Sequence, residues 1–118
     1  MVVDDNPAIR RSLRSILEYN EDWEVCGEAG DGRDGVEKAQ ALHPDLIVLD
    51  LSMPVMNGLE AARILHQLMP EVPLILCSLH SDQILQKEAS AAGVSSVFSK
   101  ADNVQSLVRK AHELLRPA

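Results

Sequence analysis

Short apolar runs rich in Val, Ile and Leu alternate along the chain with longer amphipathic segments. The runs predict five strands, at residues 2–4, 24–29, 46–50, 74–78 and 97–99. The amphipathic segments predict a helix after each strand, with the second helix at residues 32–42 and the fourth at residues 81–92. Strands that alternate with helices are typical of a parallel sheet with helical crossover connections. The pattern therefore predicts an α/β fold.

Several predicted helices carry recognisable end signals. The first follows Asn6-Pro7, in which Asn caps the helix and Pro takes its first position. In the third, Asn57 can cap the helix while Glu60 reaches back to it. The fourth has the thinnest apolar face, and the fifth begins after Asp102. The third helix also has a stripe that we predict to be buried, formed by Leu59, Ala62, Leu65 and Leu68.

Length and charge narrow the class of protein. A chain of 118 residues is long enough for one domain with a buried core. The net charge of −7, with scattered Lys and Arg, argues against direct binding to nucleic acid or to an anionic membrane. No apolar stretch approaches the roughly 18 residues that span a membrane, and no signal peptide is recognisable. Cys26 and Cys77 each lie in an apolar stretch, which predicts reduced core residues in a cytoplasmic protein.

Polar residues close four of the five predicted strands or follow them directly. Asp4 and Asp5 end the first strand, and Asp50 ends the third. Ser78 ends the fourth, and Lys100 follows the fifth. The carboxyl ends of parallel strands meet at one edge, where open α/β sheets bind their ligands. Three carboxylates favour a hard divalent cation and offer a nucleophile, while a hydroxyl and an ammonium bind phosphoryl oxygens. The edge is therefore suited to a phosphoryl group.

These residues, in this order, resemble the motifs of response-regulator receiver domains of bacterial two-component signalling. The matching segments are residues 3–5, residues 49–58 around Asp50, Ser78 after the run 74–77, and Lys100. The resemblance covers essentially the whole chain, so we expect residues 1–118 to form a single receiver domain. It implies a flavodoxin-like (CheY-like) three-layer sandwich, with a doubly wound five-stranded parallel sheet in the order 2-1-3-4-5.

The resemblance also implies a function. Asp50 would accept a phosphoryl group from a sensor histidine kinase, with Ser78 and Lys100 as the other catalytic residues. Such a domain is a signalling switch that catalyses its own phosphorylation and dephosphorylation. It is not an enzyme that turns over external substrates.

The same resemblance implies a metal cofactor, Mg²⁺ or Mn²⁺. Asp5 and Asp50 would bind the ion directly, and Asp4 would bind it through water. The backbone carbonyl of Ser52 would complete the protein ligands.

Two features favour the NarL-type regulators, which join a receiver to a helix-turn-helix domain. One is the segment 59–63, and the other is the absence of proline after Lys100. This subfamily implies a role in transcription regulation, an output domain absent from this chain, and a phosphorylation-dependent homodimer. The receiver itself would bind neither DNA nor membranes.

The chain departs from the usual pattern at several positions. Val97 stands where an inward-rotating aromatic is common, Leu79 where a small residue is common, and Ala101 where proline is frequent. The first predicted strand is short, which we would expect if the beginning of the natural sequence were truncated or replaced. These departures leave open a pseudo-receiver that serves as an interaction or dimerisation module. A phosphohydrolase with an aspartyl nucleophile is a third hypothesis, but this length leaves no room for a cap domain.

Overall fold

The computed structural model describes residues 1–20, 22–79 and 82–115. Within these residues the strands are β1 (Val2–Val3), β2 (Glu28–Ala29), β3 (Ile47–Asp50), β4 (Leu74–Ser78) and β5 (Ser96–Ser99). The helices are α1 (Pro7–Glu18), α2 (Gly32–Leu42), α3 (Gly58–Leu68), α4 (Gln83–Ala91) and α5 (Val104–Leu115). The strands form one parallel sheet in the order β2-β1-β3-β4-β5. The predicted fold and strand order are therefore confirmed.

The sheet lies between two layers of helices. Successive strand residues point to opposite faces of the sheet, so each face carries apolar side chains that a helix layer covers. On one face, Val3, Leu49 and Leu76 pack with buried residues of α2, α3 and α4. On the other face, Val48 and Ile75 pack with buried residues of α1 and α5. Complete burial of a large aliphatic side chain stabilises the fold by about 1.5–3 kcal/mol. The two faces together form the core of a three-layer sandwich.

The predicted helix starts are confirmed for α1 and α3. The Asn6 side chain accepts hydrogen bonds from the first backbone N–H groups of α1, and Pro7 is the first residue of that helix. Asn57 and Glu60 form the predicted capping box at the start of α3. Helix α4 begins at Gln83 with Asp82 as its cap; the predicted start at Ser81 lies outside the described residues.

Strand β2 is shorter than the predicted strand at residues 24–29, because only Glu28–Ala29 pairs with β1. Side chains of α1 bond the backbone that was expected to continue the strand. Glu18 Oε2 accepts a hydrogen bond from the Val25 N–H at 2.9 Å, and Arg14 Nη2 donates to the Val25 carbonyl at 3.2 Å. Residues 24–25 therefore run beside the helix. The other strands agree with their predicted bounds to within one residue at each end.

Two predictions about the core are wrong. Leu68 is 52% exposed, and Met69, the C-cap residue that follows α3, is buried in its place. Cys26 is exposed, because the segment that carries it lies outside the sheet. Cys77 is buried in β4 as predicted, and burial raises the pKa of its thiol to about 12. Only Cys77 therefore behaves as a core residue.

A tight turn after β3 holds Val55 in the left-handed region. The Met56 N–H donates to the Pro54 carbonyl at 2.7 Å, which closes a γ-turn, and Val55 has φ 68°. This conformation is strained for a β-branched residue. The Met56 carbonyl in turn accepts a hydrogen bond from the Gly32 N–H at 3.1 Å, which attaches the turn to the start of α2.

We expect Val55→Asn to stabilise the protein by about 1 kcal/mol, because a left-handed conformation costs most residues about 1–2 kcal/mol and asparagine tolerates it. For a chain of this size that corresponds to a rise of about 4 °C in Tm, measured by thermal melting. Val55→Ala is the control, since it removes the branch but keeps a Cβ atom. An unchanged or lower Tm for Val55→Asn would show that the turn is not strained.

Candidate functional site

Three carboxylates meet at the carboxyl edge of the sheet. Asp4 and Asp5 follow β1, and Asp50 is the last residue of β3, the neighbouring strand. One oxygen from each of the three lies within 4.8 Å of the others. Asp4 and Asp50 are buried, whereas Asp5 is exposed. The structure thus brings together the three acids that the strand ends predicted, with Asp5 on the solvent side.

Asp4 is held by bonds to its backbone and to its side chain. Its N–H donates to the Ala29 carbonyl at 3.0 Å, and its own carbonyl accepts a hydrogen bond from Arg10 Nη1 at 2.6 Å. Its Oδ1 accepts a hydrogen bond from the Asn6 N–H at 2.9 Å. The contacts with Asn6 and Arg10 were missed from sequence. Their positions two and six residues after Asp4, at the start of a predicted helix, are the only signal that points to them.

Burial raises the pKa of the Asp4 carboxyl above its ordinary value. The negative charges of Asp50 and Asp5 act in the same direction. The hydrogen bond from Asn6 and the positive charge of Lys100 lower this pKa and only partly offset the increase. The ionised form of Asp4 is therefore less stable here than in water, and a cation at the cluster would favour it.

Lys100 reaches the acids from the turn that follows β5. Its Nζ donates to Asp50 Oδ1 at 2.8 Å and lies 3.7 Å from Asp4 Oδ2. Desolvation lowers the pKa of Lys100, but the hydrogen bond and charge of Asp50, with the charge of Asp4, more than offset this and raise it. Lys100 is therefore charged at neutral pH and neutralises part of the cluster. With three carboxylates and one ammonium, the ionised site still carries two excess negative charges.

Ser78 and Ser52 lie beside the phosphoacceptor candidate. Ser78 is the buried last residue of β4, and its carbonyl accepts a hydrogen bond from the Lys100 N–H at 2.7 Å. Ser52 is an exposed residue of the loop after β3. Both line a cavity of about 390 Å³ that opens next to Asp50, together with Leu51, Leu79, Asp82, Leu85 and Lys100. The predicted site residues thus share one edge of the sheet.

Gly58 lets α3 approach the backbone of Asp50. A Cβ atom at Gly58 would overlap the Asp50 carbonyl oxygen and press on the Leu76 side chain. The Gly58 N–H donates to the Leu51 carbonyl at 2.9 Å. The loop of residues 51–57 is therefore closed tightly against the end of β3, which fixes the position of Asp50.

A larger cavity, of about 750 Å³, lies at the opposite edge of the sheet. It is lined by residues at the amino ends of β1, β3 and β4, by the segment before β2, which carries Trp23 and Cys26, and by the last turn of α5, which carries Leu114. None of the three acids lines it. The strand-end residues Asp50, Ser78 and Lys100 line the smaller cavity instead.

The donor set at the acid cluster fits Mg²⁺. Carboxylate oxygens are the protein ligands that this hard cation prefers, and Mg²⁺ commonly binds through one or two carboxylates and several waters. A divalent ion would balance the two excess negative charges of the cluster. The exposed side of Asp5 leaves room for water ligands.

Fold and site together define a doubly wound α/β domain with an acidic, metal-competent site at the carboxyl edge of its sheet. The chain belongs to the response regulator receiver domain family, whose model matches residues 1–112. It is thus a receiver domain of two-component response regulators, as its motifs predicted.

Known relatives agree with this assignment. The chain is 36% identical over 100 residues to chemotaxis protein CheY of Thermotoga maritima, covering 85% of this chain and 82% of that protein. It is 42% identical over 108 residues to a protein-glutamate methylesterase/protein-glutamine glutaminase of Caldanaerobacter subterraneus, covering 91% of this chain but only 29% of that protein. The chain therefore spans less than a third of the methylesterase.

A solved two-component response regulator of the LuxR family, from Aurantimonas sp. SI85-9A1, has the same fold. It superposes with a TM-score of 0.93 at 28% identity, covering 98% of this chain and 82% of that chain. Among the residues that the structure describes, no helix is both long and apolar enough to cross a membrane.

Proposed function

We propose that this domain is a phosphorylation switch in which Asp50 accepts a phosphoryl group from a histidine kinase in a reaction that requires Mg²⁺ or Mn²⁺. The observation that carries the proposal is the contact of Lys100 Nζ with Asp50 Oδ1 at 2.8 Å, within a cluster of three carboxylates. A lysine on a single carboxylate is an ordinary ion pair. A lysine that contacts a buried carboxylate of an acidic, metal-competent cluster provides a site for phosphoryl transfer.

In the proposed reaction, a carboxylate oxygen of Asp50 attacks phosphorus, and the bond from phosphorus to the donor nitrogen breaks. The departing nitrogen keeps the bonding electron pair. Lys100 holds one oxygen of Asp50 and so orients the carboxylate for attack. A metal ion bound by Asp5, Asp50 and the Ser52 carbonyl, and by Asp4 through water, would neutralise the phosphoryl oxygens. The burial of Asp50 limits the access of bulk water to the nucleophile.

After transfer, Ser78 and Lys100 would bind oxygens of the phosphoryl group. They end neighbouring strands, and the Lys100 N–H already donates to the Ser78 carbonyl, so both would move towards the acceptor together. Such a shift gives a partner two arrangements to distinguish. Leu79 and Leu85 line the same cavity and connect it to α4.

The proposed partner surface is the face formed by α4, β5 and α5. Ile84 in α4 is 70% exposed, and Val104 at the start of α5 is 47% exposed. Exposed apolar residues of this kind mark interaction sites when they lie close together. The LuxR-family neighbour is a two-component response regulator, which supports an output domain beyond the receiver. We expect that domain to be a transcriptional helix-turn-helix domain, and the same face would serve a phosphorylation-dependent homodimer.

An intact-mass spectrum tests the proposed function. The protein is incubated with Mg²⁺ and phosphoramidate, and the proposal predicts one phosphoryl adduct that disappears when EDTA replaces Mg²⁺. No adduct under any metal condition would favour the pseudo-receiver.

The pseudo-receiver stays as a second candidate because of Val97. This buried residue of β5 lies on the face covered by α4, whereas Phe98 lies on the opposite face with α5. Valine is too short to swing between a buried and an exposed position. Residue 97 therefore cannot signal phosphorylation by rotating inward, as an aromatic side chain would. The mass spectrum decides between the two candidates, since a pseudo-receiver gives no adduct.

We expect Lys100→Ala to slow phosphorylation without abolishing it, and to weaken the change in self-association that phosphorylation causes. The variant keeps the nucleophile and the metal ligands but loses the cation that transmits the phosphoryl charge to β5. Sedimentation velocity with and without beryllofluoride and Mg²⁺ measures the effect. Equal association of wild type and variant, each saturated with beryllofluoride, would show that Lys100 does not transmit the phosphoryl charge to the partner surface.

A further inference from the structure

A line of charged side chains runs along α1 and ends at the acid cluster. Arg14 contacts Glu18 at 3.3 Å and Glu28 at 2.7 Å. Glu28 also accepts a hydrogen bond from Arg10 Nε at 3.3 Å. The other end of the same guanidinium, Nη1, donates to the Asp4 carbonyl at 2.6 Å. Arg10 therefore spans the distance from strand β2 to the residue that follows strand β1.

The Asp4 carbonyl belongs to the peptide group that joins Asp4 to Asp5. Because a peptide group is planar, a donor that holds its oxygen also sets the direction in which the next residue leaves it. The Asp4 N–H is bonded to Ala29, so the backbone of Asp4 is held on both sides. Asp5 is exposed, and the Asp4–Asp5 peptide is the element that orients it relative to the buried acids.

We propose that Arg10 is a positioning residue for metal binding. By holding the Asp4–Asp5 peptide, it directs both carboxylates to one cation, and Glu28 with Arg14 holds Arg10 in place. The inference rests on the proposed function, because it requires Mg²⁺ to bind at the acid cluster.

The positive charge of Arg10 does not account for its position. A guanidinium near the cluster opposes the binding of a second cation, so its charge acts against metal affinity. Glu28 offsets that charge directly, and the Arg10 side chain is only 21% exposed. At the acid cluster Arg10 donates to the backbone carbonyl of Asp4, whereas the carboxylate that it contacts, Glu28, lies outside the cluster. A contact with the backbone is the one expected of a group that orients the chain. Its two donors face different acceptors, and a lysine can reach only one of them at a time.

The test is isothermal titration of the metal-free protein with MgCl₂, for wild type, Arg10→Ala, Arg10→Lys and Arg11→Ala. Arg11 is the adjacent, exposed arginine, so its variant removes the same charge without touching the network. Groups that orient metal ligands typically contribute about tenfold or more to affinity, so we expect Arg10→Ala to raise the Kd for Mg²⁺ about tenfold relative to Arg11→Ala. Arg10→Lys keeps the charge and should resemble Arg10→Ala.

A second readout separates positioning from general loss of structure. At saturating Mg²⁺, Arg10→Ala should be phosphorylated by phosphoramidate at the wild-type rate, while half-maximal rate requires more Mg²⁺. Melting curves in EDTA show whether the variant is folded. If it is not, Glu28→Gln decides, because it keeps Arg10 and weakens the contacts of Glu28 with Arg10 and Arg14. An unchanged Kd would then overturn the inference.

The outcomes distinguish this inference from the proposed function. If wild type does not bind Mg²⁺, the proposed metal site fails, and the inference fails with it. If wild type binds Mg²⁺ and the Kd of Arg10→Ala equals that of Arg11→Ala, the positioning role fails and the metal site stands. A Kd for Arg10→Lys equal to that of wild type would show that charge, not the two-acceptor geometry, matters, and would also overturn the inference.

Discussion

Replacing Asp50 by Asn is expected to abolish phosphorylation completely while leaving the fold intact. The amide keeps the shape of the carboxylate and an oxygen that can accept the hydrogen bond from Lys100, but it lacks the nucleophilic charge. The variant should therefore show no adduct in the intact-mass spectrum after incubation with Mg²⁺ and phosphoramidate. Its thermal melt in EDTA should not fall below that of wild type, since one of three crowded negative charges is removed.

Asp45→Asn is the matched control for this experiment. Asp45 is exposed and lines the larger cavity at the amino end of β3, so it undergoes the same chemical change at the far edge of the sheet. It should be phosphorylated like wild type. An adduct of undiminished yield on Asp50→Asn would place the acceptor on another residue.

The second large effect is stabilisation by metal. A cation that binds only the folded protein adds about 2.7 kcal/mol of stability when its concentration is a hundred times the Kd. We therefore expect millimolar Mg²⁺ to raise the Tm of wild type at neutral pH, as measured by thermal melting. Asp5→Ala should remove this shift, because Asp5 is the predicted direct ligand on the exposed side of the cluster. A wild-type melt unaffected by Mg²⁺ would contradict the proposed site.

The pH dependence of the metal-free protein follows from Asp4. The pKa of its carboxyl is raised in the folded state above the ordinary 3.8, so the folded protein binds this proton more tightly than the unfolded chain does. Its contribution to the free energy of unfolding is therefore favourable below the ordinary pKa and is lost as pH rises through the raised value. At neutral pH, ionised Asp4 is destabilising, and Asp4→Asn should raise the Tm in EDTA. The gain should vanish in acid, where wild-type Asp4 is already neutral.

The pKa of Lys100 is shifted in the same direction as that of Asp4, but from a much higher ordinary value. The pKa of its ammonium is raised in the folded state, so its contribution is fully present below its ordinary value and is lost only as pH rises through the raised one. At neutral pH it therefore stabilises the metal-free cluster. The Mg²⁺ shift should consequently be measured at a pH where Lys100 is charged and Asp4 is ionised.

Much of this protein could be predicted from local sequence signals. The Asn6-Pro7 and Asn57-Glu60 pairs start α1 and α3 as expected, because caps depend on residues only a few positions apart. The strand ends also placed Asp4, Asp5, Asp50, Ser78 and Lys100 at one edge. That prediction succeeded because all strands of a parallel sheet point the same way, so the residues that close them share an edge whatever the details of packing.

Local patterns were less informative where a residue chooses between alternative partners. The stretch at residues 24–29 has the composition of a strand, but the backbone of Val25 bonds the side chains of Glu18 and Arg14 and not a neighbouring strand. Leu68 follows the helical spacing of the α3 stripe, yet Met69 occupies the buried position at the helix end. In the first case the packing of α1 decides which groups bond the backbone of Val25. In the second, the packing of α3 decides which apolar side chain is buried.

The sequence by itself determined which residues reach the carboxyl edge of the sheet, and their chemistry predicts a site for a phosphoryl group and a divalent cation. Only the tertiary structure decided how they are joined there: Lys100 on Asp50, fifty positions away in the chain, and Arg10 on the Asp4 carbonyl. The parallel direction of the strands follows from the alternation of strands and helices, which short stretches of sequence already show. Contacts between side chains depend on helix packing and on the competition of several charged groups for the same few acceptors, and that competition is resolved only when the chain is folded.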